Sequence, residues 1–87
     1  MVKITYDPIK NAANIERRGL PFALIADLDW ATAVIVEDIR RDYGERRYRV
    51  FGYIGDRLYA AVFTPRRDAL HVISLRKANN REVKRHG

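Results

Sequence analysis

Residues 46–64 read "RRYRVFGYIGDRLYAAVFT". Two β-rich runs flank Gly55-Asp56, a dipeptide suited to a tight hairpin turn. "RRYRVFGYI" and "RLYAAVFT" are therefore expected to pair as antiparallel strands, with Gly52 and Gly55 read as hairpin glycines. Working outward, "PRRDA" (65–69) is a turn and "LHVISL" (70–75) a further strand. On the other side, "TAVIVE" (32–37) reads as a strand and "RRDYG" (40–44) as a polar turn. Closer to the N-terminus the pattern becomes helical. "VKITY" (2–6) alternates as a short strand. Asp7 then supplies an N-cap and Pro8 a first helical residue. The helix runs through Ile9, Ala12, Ala13 and Ile15 to Arg18, and Gly19 is its stop. Pro21 opens a second short helix, "FALIADL", with Phe22, Ile25 and Ala26 on one face, closed by Asp29 and Trp30. At the far end Asn79 and Glu82 form a capping-box pair for a short C-terminal helix. The expected fold is one α+β domain over residues 1–87. Two N-terminal helices pack on one face of an antiparallel sheet, and the other face is left open for function.

The composition narrows that function. The 87 residues contain no cysteine, which excludes disulfides and thiolate metal sites. "MVKITYDPIK" has no apolar region long enough for a signal peptide, and no stretch has the length of a membrane span. A cytoplasmic protein with no membrane contact is expected. The net charge is +6, and of 17 basic residues 13 are arginine. The charge is also polarised: residues 21–39 sum to −4 and residues 65–87 to +5. Arginine suits bidentate phosphate contacts, so nucleic acid or another polyanion is the expected partner, against the plain alternative of a solubilising basic surface.

Strand alternation places candidate residues on faces. Leu70, Val72, Ser74 and Arg76 are expected on one face, with His71, Ile73 and Leu75 on the other. Arg47, Arg49, Phe51 and Tyr53 share a face of their strand. Arginines interleaved with aromatic rings suit RNA, whose phosphates meet guanidinium groups and whose splayed bases stack on rings. The same alternation also fits Phe51 and Tyr53 as core residues flanked by snorkelling arginines. Metal chemistry has little to stand on: His71 and His86 are far apart, no acidic cluster has ligand spacing, and no cofactor is expected. "VED" (36–38) reads as a solvated strand end. There is no phosphate-binding glycine loop, and Ser74 has no triad partners. Metal-free cleavage of RNA remains open, because the 2′-hydroxyl is a built-in nucleophile.

"YDPIKNAANIERRGLPF" (6–22), "DYGERRYRVFG" (42–52), "FTPR" (63–66) and "ISLRKANNREV" (73–83) resemble the BrnT family. These are ribonuclease toxins of bacterial type II toxin–antitoxin systems, related in fold to the RelE toxins. The resemblance covers nearly the whole chain, and "ISLRKANNRE" is its most specific part. Taken with the missing cysteines and the lack of a histidine–carboxylate cluster, it points to a metal-independent endoribonuclease that inhibits translation. It also implies a BrnA-type ribbon-helix-helix antitoxin, with which the toxin binds operator DNA. The family's functional positions fall on Arg47 after Glu45, on Arg66 and on Arg76. Two departures matter. Arg17, Arg18 and Gly19 stand where many relatives have "KHG", and His71 stands where many have arginine.

The expected catalytic residues are thus Glu45, Arg47, Arg66, His71 and Arg76. Arg76 is expected to matter most, because its strand holds it. Glu45 or His71 handles protons, although His71 also fits as a packed strand residue. Lys10, Arg17, Arg18, Arg49, Lys77 and Arg81 are the expected RNA-binding cations. The rival function is a non-enzymatic nucleic-acid-binding subunit acting as co-repressor with its antitoxin.

Overall fold

The computed structural model describes residues 3–87. The central hairpin forms as its sequence requires. Strand β3 (Tyr48–Ile54) pairs antiparallel with β4 (Arg57–Arg66), and Gly55 turns the chain at a left-handed φ of 64° that favours glycine. Strand β5 (Ala69–Lys77) pairs antiparallel with β4, and β2 (Val34–Glu37) with β3. The first strand, β1 (Lys3–Tyr6), begins one residue inside its expected range, and Val2 lies outside the described residues. The sheet order is β1-β5-β4-β3-β2.

The sheet is mixed, not antiparallel, because β1 runs parallel to β5. Residues 55–56 and 67–68 join β3 to β4 and β4 to β5, and residues 38–47 join β2 to β3; none is long enough for the crossover that parallel pairing needs. β1 has no such tie. Residues 7–68 lie between it and β5, so nothing local sets its direction.

Helix α1 (Pro8–Arg18) is capped as expected: Asp7 Oδ1 accepts from Ile9 N–H at 2.9 Å, and Gly19 ends it at φ 69°. It lies along the edge of the sheet rather than on a face. β1 pairs with β5 only as far as Val72. Beyond that point the buried Asn14 of α1 donates to Leu75 O at 3.0 Å and to Leu20 O at 2.8 Å, satisfying an edge carbonyl that β1 leaves free.

The expected second helix is a 3-10 helix, Phe22–Asp27, so the fold has one N-terminal α-helix and not two. Phe22, Ile25 and Leu28 are buried at a spacing of three, whereas Ala26 is exposed. A 3-10 turn brings residues i and i+3 into line, and this segment is too short to gain from the α period. These side chains meet Val50, Ala61, Phe63, Val72 and Leu75 in the core. Full burial of each large apolar side chain contributes on the order of 1.5–3 kcal/mol. Gly52 belongs to this packing rather than to a turn. It sits inside β3, where a β-carbon would come 2.5 Å from Leu28 Cδ2.

One irregularity rearranges the faces. Val62 pairs with Ser74 but Phe63 with Val72, so Ile73 is an extra residue in β5. Leu70 and Val72 therefore share the core face with Leu75. His71, Ser74 and Arg76 share the opposite face, contrary to simple alternation. That opposite face is not open along its whole length. Helix α2 (Asn80–His86) covers one end, with its Asn79–Glu82 capping box in place. The His86 ring stacks on Phe51 at 4.1 Å between centroids. No helix among the described residues is long and apolar enough to cross a membrane.

Candidate nucleic-acid interface

The face opposite the core is laid out in rows by the strand register. One row carries Thr64 and His71, with Thr5 beside them on β1. The next carries Arg49, Val62 and Ser74, and the third Phe51, Ala60 and Arg76. Along β4 successive rows lie two residues apart, so the first and third are separated by ~13 Å at the usual rise.

The first end gathers four of the expected catalytic residues. Glu45 comes from the loop between β2 and β3 and faces two arginines, Arg47 Nε at 3.4 Å and Arg66 at 3.5 Å. The loop is held in place at several points. Asp38 N–H donates to Arg47 O at 2.8 Å, and Thr64 Oγ1 donates to Arg46 O at 2.6 Å. The Arg47 guanidinium lies 4.2 Å from the centroid of the Tyr43 ring. His71 is bonded through Nδ1 to Thr5 Oγ1 at 2.8 Å. Burial pushes its pKa below the ordinary 6.5, and Arg66 adds to this, with Glu45 and Asp7 opposing. The net shift favours the neutral imidazole.

Arg76 is not among these four. It lies at the other end of the face, where its guanidinium donates to both Glu82 oxygens at 2.7 and 2.8 Å. The fork-to-fork pair fixes it more firmly than the strand alone. The hydrogen bond from Arg76 holds the Glu82 carboxyl down at about 2.

Lys10, Arg17 and Arg18 line a groove beside Ile73, Ser74 and Arg76, so the basic side of α1 continues the face past the sheet edge. Arg49 sits in the middle row. Lys77 pairs with Tyr59 and projects from the core side, away from Arg76, and Arg81 is exposed on α2.

Sequence reasoning missed Asp38, Arg40 and Tyr43. Asp38 is no solvated strand end: its side chain is 2 % exposed. It accepts from Arg40 Nε and a terminal nitrogen at 2.8 Å each, and from Tyr43 O–H at 3.1 Å. The Arg40 hydrogen bonds hold its carboxyl well below the usual carboxylate range, against the effect of burial. The signal was present as Asp38-x-Arg40 with Tyr43 following, but only burial distinguishes it from an ordinary polar turn.

A five-stranded mixed sheet with one apolar and one arginine-lined face defines a small α+β domain with a cationic surface. Over residues 6–82 the sequence matches the family described as ribonuclease toxin, BrnT, of type II toxin–antitoxin systems, and the chain belongs to that family. It is thus similar to toxins that act on RNA and work against an antitoxin partner. No curated protein matches the chain.

Proposed function

We propose that this BrnT-family chain is an endoribonuclease that cuts RNA without a metal and so inhibits translation. A BrnA-type ribbon-helix-helix antitoxin neutralises it and joins it on operator DNA. The observation that carries the catalytic part is the gathering of Glu45, Arg47, Arg66 and His71 at one end of the sheet face.

Arg47 and Arg66 hold the scissile phosphate and offset the charge that builds up on it. Glu45 bridges the two guanidinium groups and keeps them aimed. His71 is the base. With its proton on Nδ1, donated to Thr5 Oγ1, Nε2 carries the free lone pair. Nε2 takes the 2′-hydroxyl proton as O2′ attacks phosphorus. The bond to the 5′-oxygen breaks, that oxygen is protonated by solvent, and a 2′,3′-cyclic phosphate remains. Glu45 is the weaker candidate base because two arginines already engage it. Arg76 holds a different phosphate of the same strand.

Among the described residues no group of three His, Asp or Glu side chains is placed to hold a metal ion. The test is an RNA-only gel in EDTA. Shortened RNA ending in a cyclic phosphate is the expected result. Cleavage that appears only after magnesium or manganese is added overturns the metal-free mechanism. A mobility shift with no cleavage supports the co-repressor reading instead. The antitoxin complex is expected to weaken as salt rises, because the partner must cover clustered arginine.

A further inference from the structure

We infer that the groove lined by Arg40, Arg49 and Arg76 is a second anion site that takes a neighbouring phosphodiester of the strand cut at the His71 end. It rests on the ribonuclease reading above and adds a substrate subsite to it. The groove runs over the small side chains of Ala60 and Ser74, which leave a hollow of about 280 Å³ between the cations.

Two of the three guanidinium groups are already held. Asp38 takes one edge of Arg40, and Glu82 takes the outer edge of Arg76. Both acids leave other N–H donors of their arginines unused. Arg49 differs. Its Nε is buried and has no hydrogen-bond partner. A buried donor without an acceptor is costly, and a buried cationic one more so. The three arginines face two carboxylates, so one positive charge is unmatched, and it lies on Arg49 between two fixed neighbours. A phosphodiester in the hollow that Arg49 lines supplies the missing counter-charge. The carboxylates of Asp38 and Glu82 stand against an anion here, but each is turned toward its own arginine.

The position suits a single strand. The groove and the His71 cluster lie on one face, linked by Ser74 and the middle row. The basic side of α1 opens onto the same strand residues. A strand bound at both ends is held in register, which sets which phosphate meets His71.

The experiment uses the intact chain and a 2′-O-methyl RNA pentamer, which binds but cannot be cut. Affinity is measured across salt for wild type, Arg49→Gln, Arg49→Lys and Arg57→Gln. Arg57, at the exposed start of β4, is the control for bulk charge. Arg49→Gln should weaken binding about tenfold, the scale of a charged hydrogen bond. It should also flatten the salt slope by ~0.7, the value for one phosphate on a single strand. Arg49→Lys should restore the slope but not the full affinity. Arg57→Gln should leave the slope unchanged. Thermal melts verify that each variant is folded.

An Arg49→Gln slope equal to wild type overturns the site. So does an absence of pentamer binding by the wild type. The ribonuclease reading fails separately: wild type would then leave the 2′-hydroxyl pentamer intact, while the non-cleavable pentamer still decides the groove.

Discussion

The two ends of the arginine face use carboxylates in opposite ways. At the His71 end, Glu45 is shared between Arg47 and Arg66 at 3.4 and 3.5 Å, and neither contact is tight. At the α2 end, Glu82 grips Arg76 through two bonds of 2.7 and 2.8 Å. A loosely shared acid aims two cations and still lets both turn to an incoming phosphate. A tight pair fixes one cation and spends most of its charge. The first arrangement suits chemistry, where charge must answer a changing phosphate. The second suits binding, where a fixed donor sets register.

The largest effect should separate the two ends directly. Arg66→Ala should lower single-turnover cleavage roughly 100-fold, the scale of removing one preorganised charge donor. Arg76→Ala should cost about tenfold and appear mainly in KM, as expected for uniform binding. This order reverses the expectation from sequence that Arg76 dominates. Equal kcat losses in both variants would merge the two ends into one site.

The pH profile sharpens the first end. His71 has its pKa pushed below 6.5 by burial. As a base it acts when neutral, so kcat/KM should rise with pH through a midpoint below 6.5 and then level off. His71→Ala should remove that rise and lower the plateau by about 100-fold. A rise that persists in the variant would assign it to another group.

The second end has its own acid dependence. The folded Glu82 carboxyl lies at about 2, against an ordinary 4.5. A depressed acid stabilises the fold above its unfolded value and loses that contribution as pH falls. The Glu82–Arg76 pair should therefore act fully above pH 4.5 and fade toward pH 2. The partly exposed pair is screened, so its contribution is about 1 kcal/mol or less. Glu82→Gln retains the capping geometry and isolates the charge. Melts of wild type and variant should differ slightly at pH 7 and converge in acid. A constant gap would place the effect in packing.

The smallest effect tests whether position matters at all. Arg85, in the last turn of α2, should change cleavage by about threefold or less when replaced by alanine, as a single screened charge does. A loss matching that of Arg66→Ala would mean that cationic charge acts diffusely.

Local chemistry decided what short stretches of sequence can decide. Asp7-Pro8 and Gly19 bound α1, Gly55 turns the hairpin, and Asn79 with Glu82 starts α2. Each acts through bonds to residues a few positions away. Glu45, Arg47 and Arg66 were singled out by the resemblance to the BrnT family, and their side chains do meet. The tertiary structure decided the rest, because each remaining feature depends on a distant partner. The direction of β1 is set by β5. The 3-10 spacing of Phe22, Ile25 and Leu28 follows the core they fill. The extra residue at Ile73 turns Ser74 and Arg76 to the face that carries Arg49, against the alternation of their own strand. Asp38 became a buried anchor, and Arg49 a cation without an acceptor, only when the sheet closed around them. Periodicity reports which residues share a face if a strand is regular. It does not report where a strand breaks its period, or which charges folding leaves unpaired.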